Sequence, residues 1–224
     1  MGAVRRLPVL PVYGVVAAAD VVLAGRHSRR ARWCTKPLLM PLLIAAAMPA
    51  DTREPTVLAG LALSGVGDVA LLGEGEAAFG AGLAAFLAAH CCYIAAFRRR
   101  RRAGVRRWSP AAGLYLLAWL TLSAVLLPRT GRFRVPVLCY GAALASMAVA
   151  ALGTGDPRLA AGGAAFLVSD SLLALDAFDV VRPPGADAMV MLTYTVAQAL
   201  IATGTARTRP GPAALGPTGT PRPH

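Results

Sequence analysis

The sequence has little charge, few aromatic side chains and few acidic groups. Of its 224 residues, 15% are charged and 6% are aromatic, whereas 56% are hydrophobic. A soluble domain of this length needs far more charge to cover its surface, so the composition excludes an ordinary soluble fold. The apolar residues are mainly Ala, Leu and Val, which is typical of helices that pack in lipid.

Signatures of soluble enzymes are missing as well. The sequence contains no Gly-x-Ser-x-Gly elbow, P-loop, dinucleotide fingerprint or His-Glu-x-x-His motif. Its four cysteines have no disulfide or zinc spacing. The consecutive His90, Cys91 and Cys92 would point about 100° apart on a helix, so they cannot chelate one metal together. We therefore expect neither a metal nor a cofactor.

Basic residues outnumber acidic ones by 23 to 11, which gives a net charge of +12. They lie in short clusters between apolar runs, a pattern typical of membrane topology and anionic headgroups. Since no soluble region could carry a nucleic-acid site, we expect membrane lipids as partners and no nucleic acid. The larger share of Arg and Lys falls on the side of the two termini, which predicts a multi-pass plasma-membrane protein with cytoplasmic termini. No pattern indicates an oligomeric state.

Eight apolar stretches predict an all-α, polytopic transmembrane bundle over residues 1–204, followed by a disordered Pro- and Gly-rich tail at 205–224. The predicted spans are 8–24, 37–50, 56–73, 77–97, 109–127, 135–152, 159–178 and 187–204. The second is the weakest because it is short and contains Pro41, and a broken or re-entrant helix is the alternative. We expect Lys36 at its entrance, and Asp20 close enough to the end of the first span to reach the interface.

Two of the predicted spans resemble each other. Leu61–Leu72 and Gly163–Ala174 both place an aspartate after a small residue in an apolar helix, with leucine close behind. These aspartates, Asp68 and Asp170, are four spans apart, so both helices would cross in the same direction. A four-plus-four duplication would place the two carboxylates at similar depth on opposite sides of a pseudo-twofold axis. Chance similarity in a chain rich in Ala and Leu is the alternative.

Asp68 and Asp170 most need a functional explanation. A carboxylate near the centre of a span costs about 2.5 to 3.5 kcal/mol on insertion scales, so each must face the bundle interior or a wet cavity. Other polar side chains are predicted around the two aspartates. They are Ser64, His90, Tyr93, Tyr140, Ser169, Tyr194 and Gln198. Each of these also has a purely structural explanation, as a packing residue, a helix back-bond or an interhelical hydrogen bond.

The motifs that contain these residues resemble the YhhN-like family of lysoplasmalogenases, which are eight-span membrane hydrolases. The resemblance covers about residues 35–204, with the motifs in order. The matching motifs are Thr35-Lys36-Pro37-Leu38, Ser64–Leu72 with Gly67-Asp68, Phe79-x-x-Gly82-x-x-x-Phe86-x-x-x-His90-x-x-Tyr93-Ile94, Tyr140 with Met147, Gly163–Asp170 with Phe166 and Ser169, and Tyr194-x-x-x-Gln198-x-Leu200-Ile201. The resemblance implies a lysophospholipid substrate, lysoplasmalogen, whose vinyl ether bond is hydrolysed to a fatty aldehyde and a glycerophospho-headgroup.

Vinyl ether hydrolysis begins with protonation of the β-carbon, after which water attacks the resulting oxocarbenium ion. It calls for one carboxylic acid that stays protonated in an apolar setting and a second carboxylate that stabilises the cation and activates water. With the resemblance, this implies Asp68 and Asp170 as the catalytic pair, with acid and base unassigned. His90 and Tyr93 would position water or headgroup oxygens, and Lys36 would bind the phosphate as a point charge. The remaining predicted substrate-binding residues are Tyr140, Ser169, Tyr194 and Gln198.

Two other functions are compatible with the sequence. A proton-coupled lipid or small-solute transporter would use the two aspartate-bearing helices as its coupling site. A structural membrane scaffold would need neither aspartate. Release of aldehyde from lysoplasmalogen would separate a hydrolase from both alternatives.

Overall fold

The computed structural model describes residues 9–47, 54–103 and 110–205. In these ranges the chain forms eight α-helices and one short 3-10 helix, without any strand. The α-helices are α1 Val9–Gly25, α2 Arg29–Ala47, α3 Pro55–Ala70, α4 Gly75–Arg99, α5 Pro110–Leu126, α6 Arg134–Gly153, α7 Pro157–Ala177 and α8 Ala186–Thr205. The predicted all-α class and the eight helices are confirmed. The predicted tail, apart from Thr205 at the end of α8, lies outside the described residues.

Most of these helices are apolar enough to lie in a membrane. Four described stretches are also long enough to cross one: Gly75–Arg99, Gly131–Gly153, Pro157–Ala177 and Ala186–Thr205. Helices α1, α3 and α5 are apolar but shorter, at 16 or 17 residues. The chain is therefore an integral membrane protein. That all eight helices cross the bilayer stays a prediction.

Seven helices begin and end within three residues of their predicted limits. Proline marks the first residue of three helices, which begin at Pro55, Pro110 and Pro157. Proline is favoured there because a backbone N–H at the first helical position would have no hydrogen-bond partner within the helix, so its absence costs nothing. Asp156 caps α7: its Oδ1 accepts hydrogen bonds from the backbone N–H of Arg158 at 2.8 Å and of Leu159 at 3.4 Å. Local turn chemistry thus fixes these boundaries.

The prediction for the second helix was wrong. Helix α2 begins at Arg29 rather than at Pro37, and Pro37 and Pro41 both lie inside one continuous helix. Lys36 is therefore inside the helix and not at its entrance. The additional turns are basic rather than apolar, so hydropathy does not reveal them. They are held by tertiary contacts, including a hydrogen bond of 2.8 Å from Arg29 Nε to the carbonyl oxygen of Leu72. Prolines are tolerated inside membrane helices when neighbouring groups satisfy the freed backbone.

The contacts between helices follow the predicted four-plus-four pattern. The pairs α1–α2, α2–α3, α3–α4 and α2–α8 recur in the second half of the chain as α5–α6, α6–α7, α7–α8 and α6–α4. This recurrence supports the duplication. Among the described residues, the pairs α1–α8, α3–α8 and α5–α7 have no counterpart. The first of these matters most for the site, because α1 packs on α8 whereas its counterpart α5 makes no contact with α4. The second half of the bundle is therefore open where the first half is closed.

Small residues allow the helices to approach closely. A Cβ atom added at Gly60 of α3 would lie 2.4 Å from the Tyr93 ring on α4, and one at Gly67 would lie 2.6 Å from Phe86. Helix interfaces in membranes are commonly built this way, because small side chains let one backbone approach the next. The close α3–α4 contact positions Asp68, the residue after Gly67, inside the bundle.

Candidate active site

An apolar groove lies where α5 stands apart from α4. We call it the α4–α7 groove, because its walls are formed mainly by α4, α5, α6 and α7. It measures about 680 Å³ including its open mouth, within the usual range for small-molecule sites. Most lining side chains are apolar, among them Leu83, Leu122 and Leu144. Asp170 is the carboxylate among the lining residues, and the Tyr140 hydroxyl lies beside it.

Asp170 belongs to a cluster with Tyr140 and His90. Tyr140 on α6 donates its hydroxyl proton to Oδ2 of Asp170. The Tyr140 oxygen can then accept a hydrogen bond from His90 Nε2 on α4, which is 3.1 Å from that oxygen and 3.6 Å from Asp170 Oδ2. The buried Nδ1 of His90 has no hydrogen-bond partner in the described part of the chain. Oδ1 of Asp170 also has no hydrogen-bond partner there, and Asp170 lines the groove.

Asp68 lies in a second, more enclosed cluster. Its Oδ1 is 3.4 Å from Lys36 Nζ on α2, and its Oδ2 accepts a hydrogen bond of 2.7 Å from the Tyr194 hydroxyl on α8. Both carboxylate oxygens are thus engaged. The side chain is 2% exposed, and Asp68 is absent from the groove wall. The predicted phosphate ligand, Lys36, is likewise directed at Asp68 rather than at the groove.

The two aspartate clusters share one geometric plan. Asp68 on α3 meets Lys36 on α2 and Tyr194 on α8. Asp170 on α7 meets Tyr140 on α6 and, near it, His90 on α4. A four-helix offset converts α3, α2 and α8 into α7, α6 and α4, so the partner helices correspond although the partner residues differ. The two motifs that resemble each other in sequence therefore occupy equivalent places in the fold.

A layer of phenylalanine separates the two clusters. The Phe166 ring lies 4.8 Å from His90 and 5.5 Å from Tyr194, measured between ring centroids. The Phe86 ring packs on the same Tyr194 ring at 5.8 Å and lines the α4–α7 groove. The predicted catalytic residues thus come together in two sets, with Asp170 on the groove side of this layer and Asp68 on the other.

Three other predicted site residues form interhelical hydrogen bonds away from the groove wall. Tyr93 on α4 donates a hydrogen bond of 2.8 Å to Gln198 Oε1 on α8, and Ser64 lies 3.5 Å from the same hydroxyl. Ser169 on α7 donates to the carbonyl oxygen of Val190 on α8 at 3.0 Å. None of these side chains lines the groove. Their contacts match the structural explanation, and a substrate role for Tyr93, Ser169 and Gln198 stays a prediction.

The expectation that Asp20 reaches the interface was wrong. Asp20 is fully buried, and its oxygens accept hydrogen bonds from Arg32 Nη2 at 3.1 Å and Thr35 Oγ1 at 2.7 Å. Because α2 begins earlier than predicted, Arg32 and Thr35 lie on a helix packed against α1. The signal in the sequence was an acidic residue inside the first span followed by a basic segment.

Within the described ranges, no group of three His, Cys, Asp or Glu residues could hold a metal ion.

The fold and its buried carboxylate clusters define a polytopic helical membrane protein with an ionisable site inside the bundle. Residues 31–205 match the YhhN family. The chain belongs to this family, and the resemblance carried by its motifs is confirmed.

The chain is similar to several proteins named as lysoplasmalogenases. Lysoplasmalogenase TMEM86B of Homo sapiens is 34% identical over 173 residues, which cover 75% of this chain and 71% of that protein. Lysoplasmalogenase TMEM86A of Homo sapiens is 33% identical over 175 residues, covering 73% and 69%. TMEM86A of Bos taurus is 32% identical over 173 residues, covering 72% and 68%. No solved structure matches the chain.

Proposed function

We propose that this protein is a membrane-embedded hydrolase of the lysoplasmalogenase type, which cleaves the vinyl ether bond of a single-chain lysophospholipid. The observation that carries the proposal is the free Oδ1 of Asp170 in the wall of an otherwise apolar groove. A lysoplasmalogen has one apolar chain, which suits such a groove, and one reactive bond, which needs a proton donor beside it. Membership of the YhhN family and the similarity to the human lysoplasmalogenases support this assignment.

Asp170 is the proton donor in this scheme. Its Oδ1 proton is transferred to the β-carbon of the vinyl ether, which leaves an oxocarbenium ion. The resulting Asp170 carboxylate then takes a proton from water as the water oxygen bonds to the α-carbon, a change from acid to base known from glycosidases. The hemiacetal collapses, its hydroxyl proton passes to the glycerol oxygen, and the fatty aldehyde and the glycerophospho-headgroup are released. Tyr140 donates to Oδ2 and is itself in hydrogen-bond contact with His90, so that Oδ1 keeps a fixed orientation.

Asp68 has a different role in this proposal. Both its oxygens are occupied by Lys36 and Tyr194, and the charge of Lys36 offsets its own. The cluster anchors Tyr194, against which Phe86 packs at the groove wall. That Asp68 is the second reacting carboxylate, as two-carboxylate chemistry requires, stays a prediction from the sequence.

We also propose that both termini face the cytoplasm of the plasma membrane, as the distribution of basic residues predicts. A green fluorescent protein fused after His224 should then fluoresce in intact cells. A periplasmic phosphatase fused at the same position should be inactive. An active phosphatase with a dark fluorescent fusion would reverse the orientation.

The function is tested with purified protein and three lipids of equal chain length. These are a lysoplasmalogen, a lysophospholipid with a saturated ether, and one with an acyl ester. We expect aldehyde from the vinyl ether lipid alone, because only that bond gives an oxocarbenium ion on protonation of carbon. Failure to release aldehyde, combined with lipid or proton movement across proteoliposomes, would replace the hydrolase with the transporter.

A further inference from the structure

The lipid phosphate needs a binding site at the mouth of the α4–α7 groove, and Lys36 does not lie there. Lys36 Nζ is 3.4 Å from Asp68 and its side chain is 8% exposed. The groove instead ends beside the α5–α6 turn, residues 127–133. Leu126, the last residue of α5, and Val137, in the first turn of α6, both line the groove.

This end of the groove carries arginines without acidic partners. Arg129 lies in the α5–α6 turn and Arg134 is the first residue of α6, and both are exposed. Among the described residues neither forms an ion pair, although Arg129 Nη1 donates a hydrogen bond of 3.3 Å to the carbonyl oxygen of Val125. A third arginine, Arg132, is paired with Glu76 on α4. Arg129 and Arg134 therefore bring two guanidinium groups without a carboxylate partner to this end of the groove.

Arg134 lies on the groove-lining face of α6. Arg134, Val137 and Gly141 follow i, i+3, i+7 spacing, which places them on one side of the helix. Val137 and Gly141 line the groove. Arg132 contacts the groove wall indirectly. Its guanidinium lies 5.2 Å from the Phe133 ring centroid. The Phe133 ring in turn packs on the ring of Phe79, a groove-lining residue, with 5.3 Å between the ring centroids.

The separation along α6 matches the substrate. Arg134 precedes Tyr140, the partner of Asp170, by six residues, which corresponds to about 9 Å along the helix axis. In a lysoplasmalogen seven bonds join the vinyl β-carbon to phosphorus. At roughly 1.2 Å of advance per bond in an extended chain, they span about 8 Å. A lipid whose β-carbon lies at Asp170 thus has its phosphate level with Arg134.

We propose that Arg129 and Arg134 form the binding site for the phosphate group of the lysophospholipid, and so favour phosphate-bearing lipids over neutral alkenylglycerols. Guanidinium groups suit this role because they bind phosphate oxygens through paired, charge-assisted hydrogen bonds. The inference rests on the proposed function, since it assumes that the reacting lipid lies in the α4–α7 groove.

The test compares two substrates with the same alkenyl chain, a lysoplasmalogen and the uncharged 1-alkenylglycerol. For the double variant Arg129→Gln/Arg134→Gln we expect a KM for lysoplasmalogen at least tenfold higher than that of the wild type. Its kcat should stay within twofold of the wild-type value, and its KM for alkenylglycerol should not change. Arg98→Gln is the matched control, because Arg98 is exposed and lies at the opposite end of α4 from the groove-lining Phe79. It should leave both KM values unchanged.

Three results would overturn the assignment. One is an unchanged KM for lysoplasmalogen in the double variant, and another is an equal rise for both substrates. The third concerns free phosphate. Inorganic phosphate could protect the wild type, but not the double variant, against unfolding while both have the same KM for lysoplasmalogen. The two arginines would then be a site for the free ion instead.

Direct binding separates this inference from the proposed function. Titration of the detergent-solubilised protein with a non-cleavable 1-alkyl lysophospholipid should show at least tenfold weaker binding to the double variant, and binding of 1-alkylglycerol should not change. If the wild type releases no aldehyde, the proposed function fails, and this titration still decides whether the arginines bind the lipid phosphate. Equal affinities of the wild type and the double variant for the phospholipid would refute the site.

Discussion

At the residue scale, the two buried aspartates differ in what their oxygen atoms contact. Asp68 uses both oxygens, one toward Lys36 and one toward Tyr194. Asp170 lines the groove and uses Oδ2 toward Tyr140, and its Oδ1 has no hydrogen-bond partner in the described part of the chain. A group that transfers a proton to a substrate must reach it. The contacts therefore distinguish two carboxylates that the sequence motifs present as equivalent.

Tyr140 connects Asp170 to His90, and its hydroxyl can be removed without changing the ring. We expect Tyr140→Phe to lower kcat for aldehyde release by at least tenfold with little change in KM. Oδ2 of Asp170 would lose its hydrogen-bond donor, and the carboxyl group would therefore lose its fixed orientation. Tyr115→Phe on α5 is the control, since the Tyr115 hydroxyl has no hydrogen-bond partner in the described part of the chain and Tyr115 does not line the groove. A Tyr140→Phe enzyme with wild-type kcat would remove Tyr140 from the site.

Lys36 and Asp68 form a buried ion pair, which can be tested through stability. Each single variant, Lys36→Met or Asp68→Asn, removes one partner of a buried charge pair, a change that costs about 3–5 kcal/mol. The double variant should lose less than either single one, because no unpaired charge remains. Unfolding of the detergent-solubilised protein measures this coupling.

The exposed pair Arg182–Asp187 provides the reference for that cycle. Exposed ion pairs typically contribute about 0–1 kcal/mol, so Arg182→Met and Asp187→Asn should show little coupling. Additive losses at Lys36 and Asp68 would mean that the two side chains do not interact in the folded protein.

At the scale of helices, close packing of α3 on α4 depends on glycine. A Cβ atom at Gly60 would lie within 3.0 Å of three atoms of the buried Tyr93 ring. We expect Gly60→Ala to destabilise the protein by about 1–3 kcal/mol through overpacking, seen as a lower melting temperature in detergent. Gly14→Ala on α1 is the matched control, because nothing lies within 4 Å of the added methyl group. That control should gain about 0.5–1 kcal/mol, as alanine is the better helix former.

The helices also show what hydropathy can and cannot locate. Seven of them lie within three residues of their predicted limits, because apolar runs and the prolines at Pro55, Pro110 and Pro157 mark them in the sequence itself. The first turns of α2 escaped prediction because Arg29 and Arg32 are held by tertiary contacts with the α3 end and with Asp20. Tertiary contacts leave no local pattern.

At the scale of the whole molecule, the departure from pseudo-twofold symmetry is what opens the groove. Helix α1 covers α8, whereas the corresponding α5 does not touch α4 in the described part of the chain, and the α4–α7 groove occupies that position. The sequence indicated two equivalent aspartate helices and the residues near them. It could not indicate which aspartate faces a ligand, because that depends on where α5 packs. The buried Asp20–Arg32 contact was missed because the true beginning of α2 was not predicted.

The most direct test of the central claim is aldehyde release from lysoplasmalogen by Asp170→Asn compared with the double variant Lys36→Met/Asp68→Asn. If Asp170 is the proton donor, the kcat of Asp170→Asn should be at least 100-fold lower than that of the wild type. The double variant removes the second cluster without leaving a lone charge, so its kcat should stay within about tenfold of the wild-type value. Asp176→Asn controls for loss of a carboxylate elsewhere on α7, since Asp176 pairs with Arg182 outside the groove. Full turnover by Asp170→Asn, or inactivity of the double variant alone, would contradict the account and make Asp68 the reacting carboxylate.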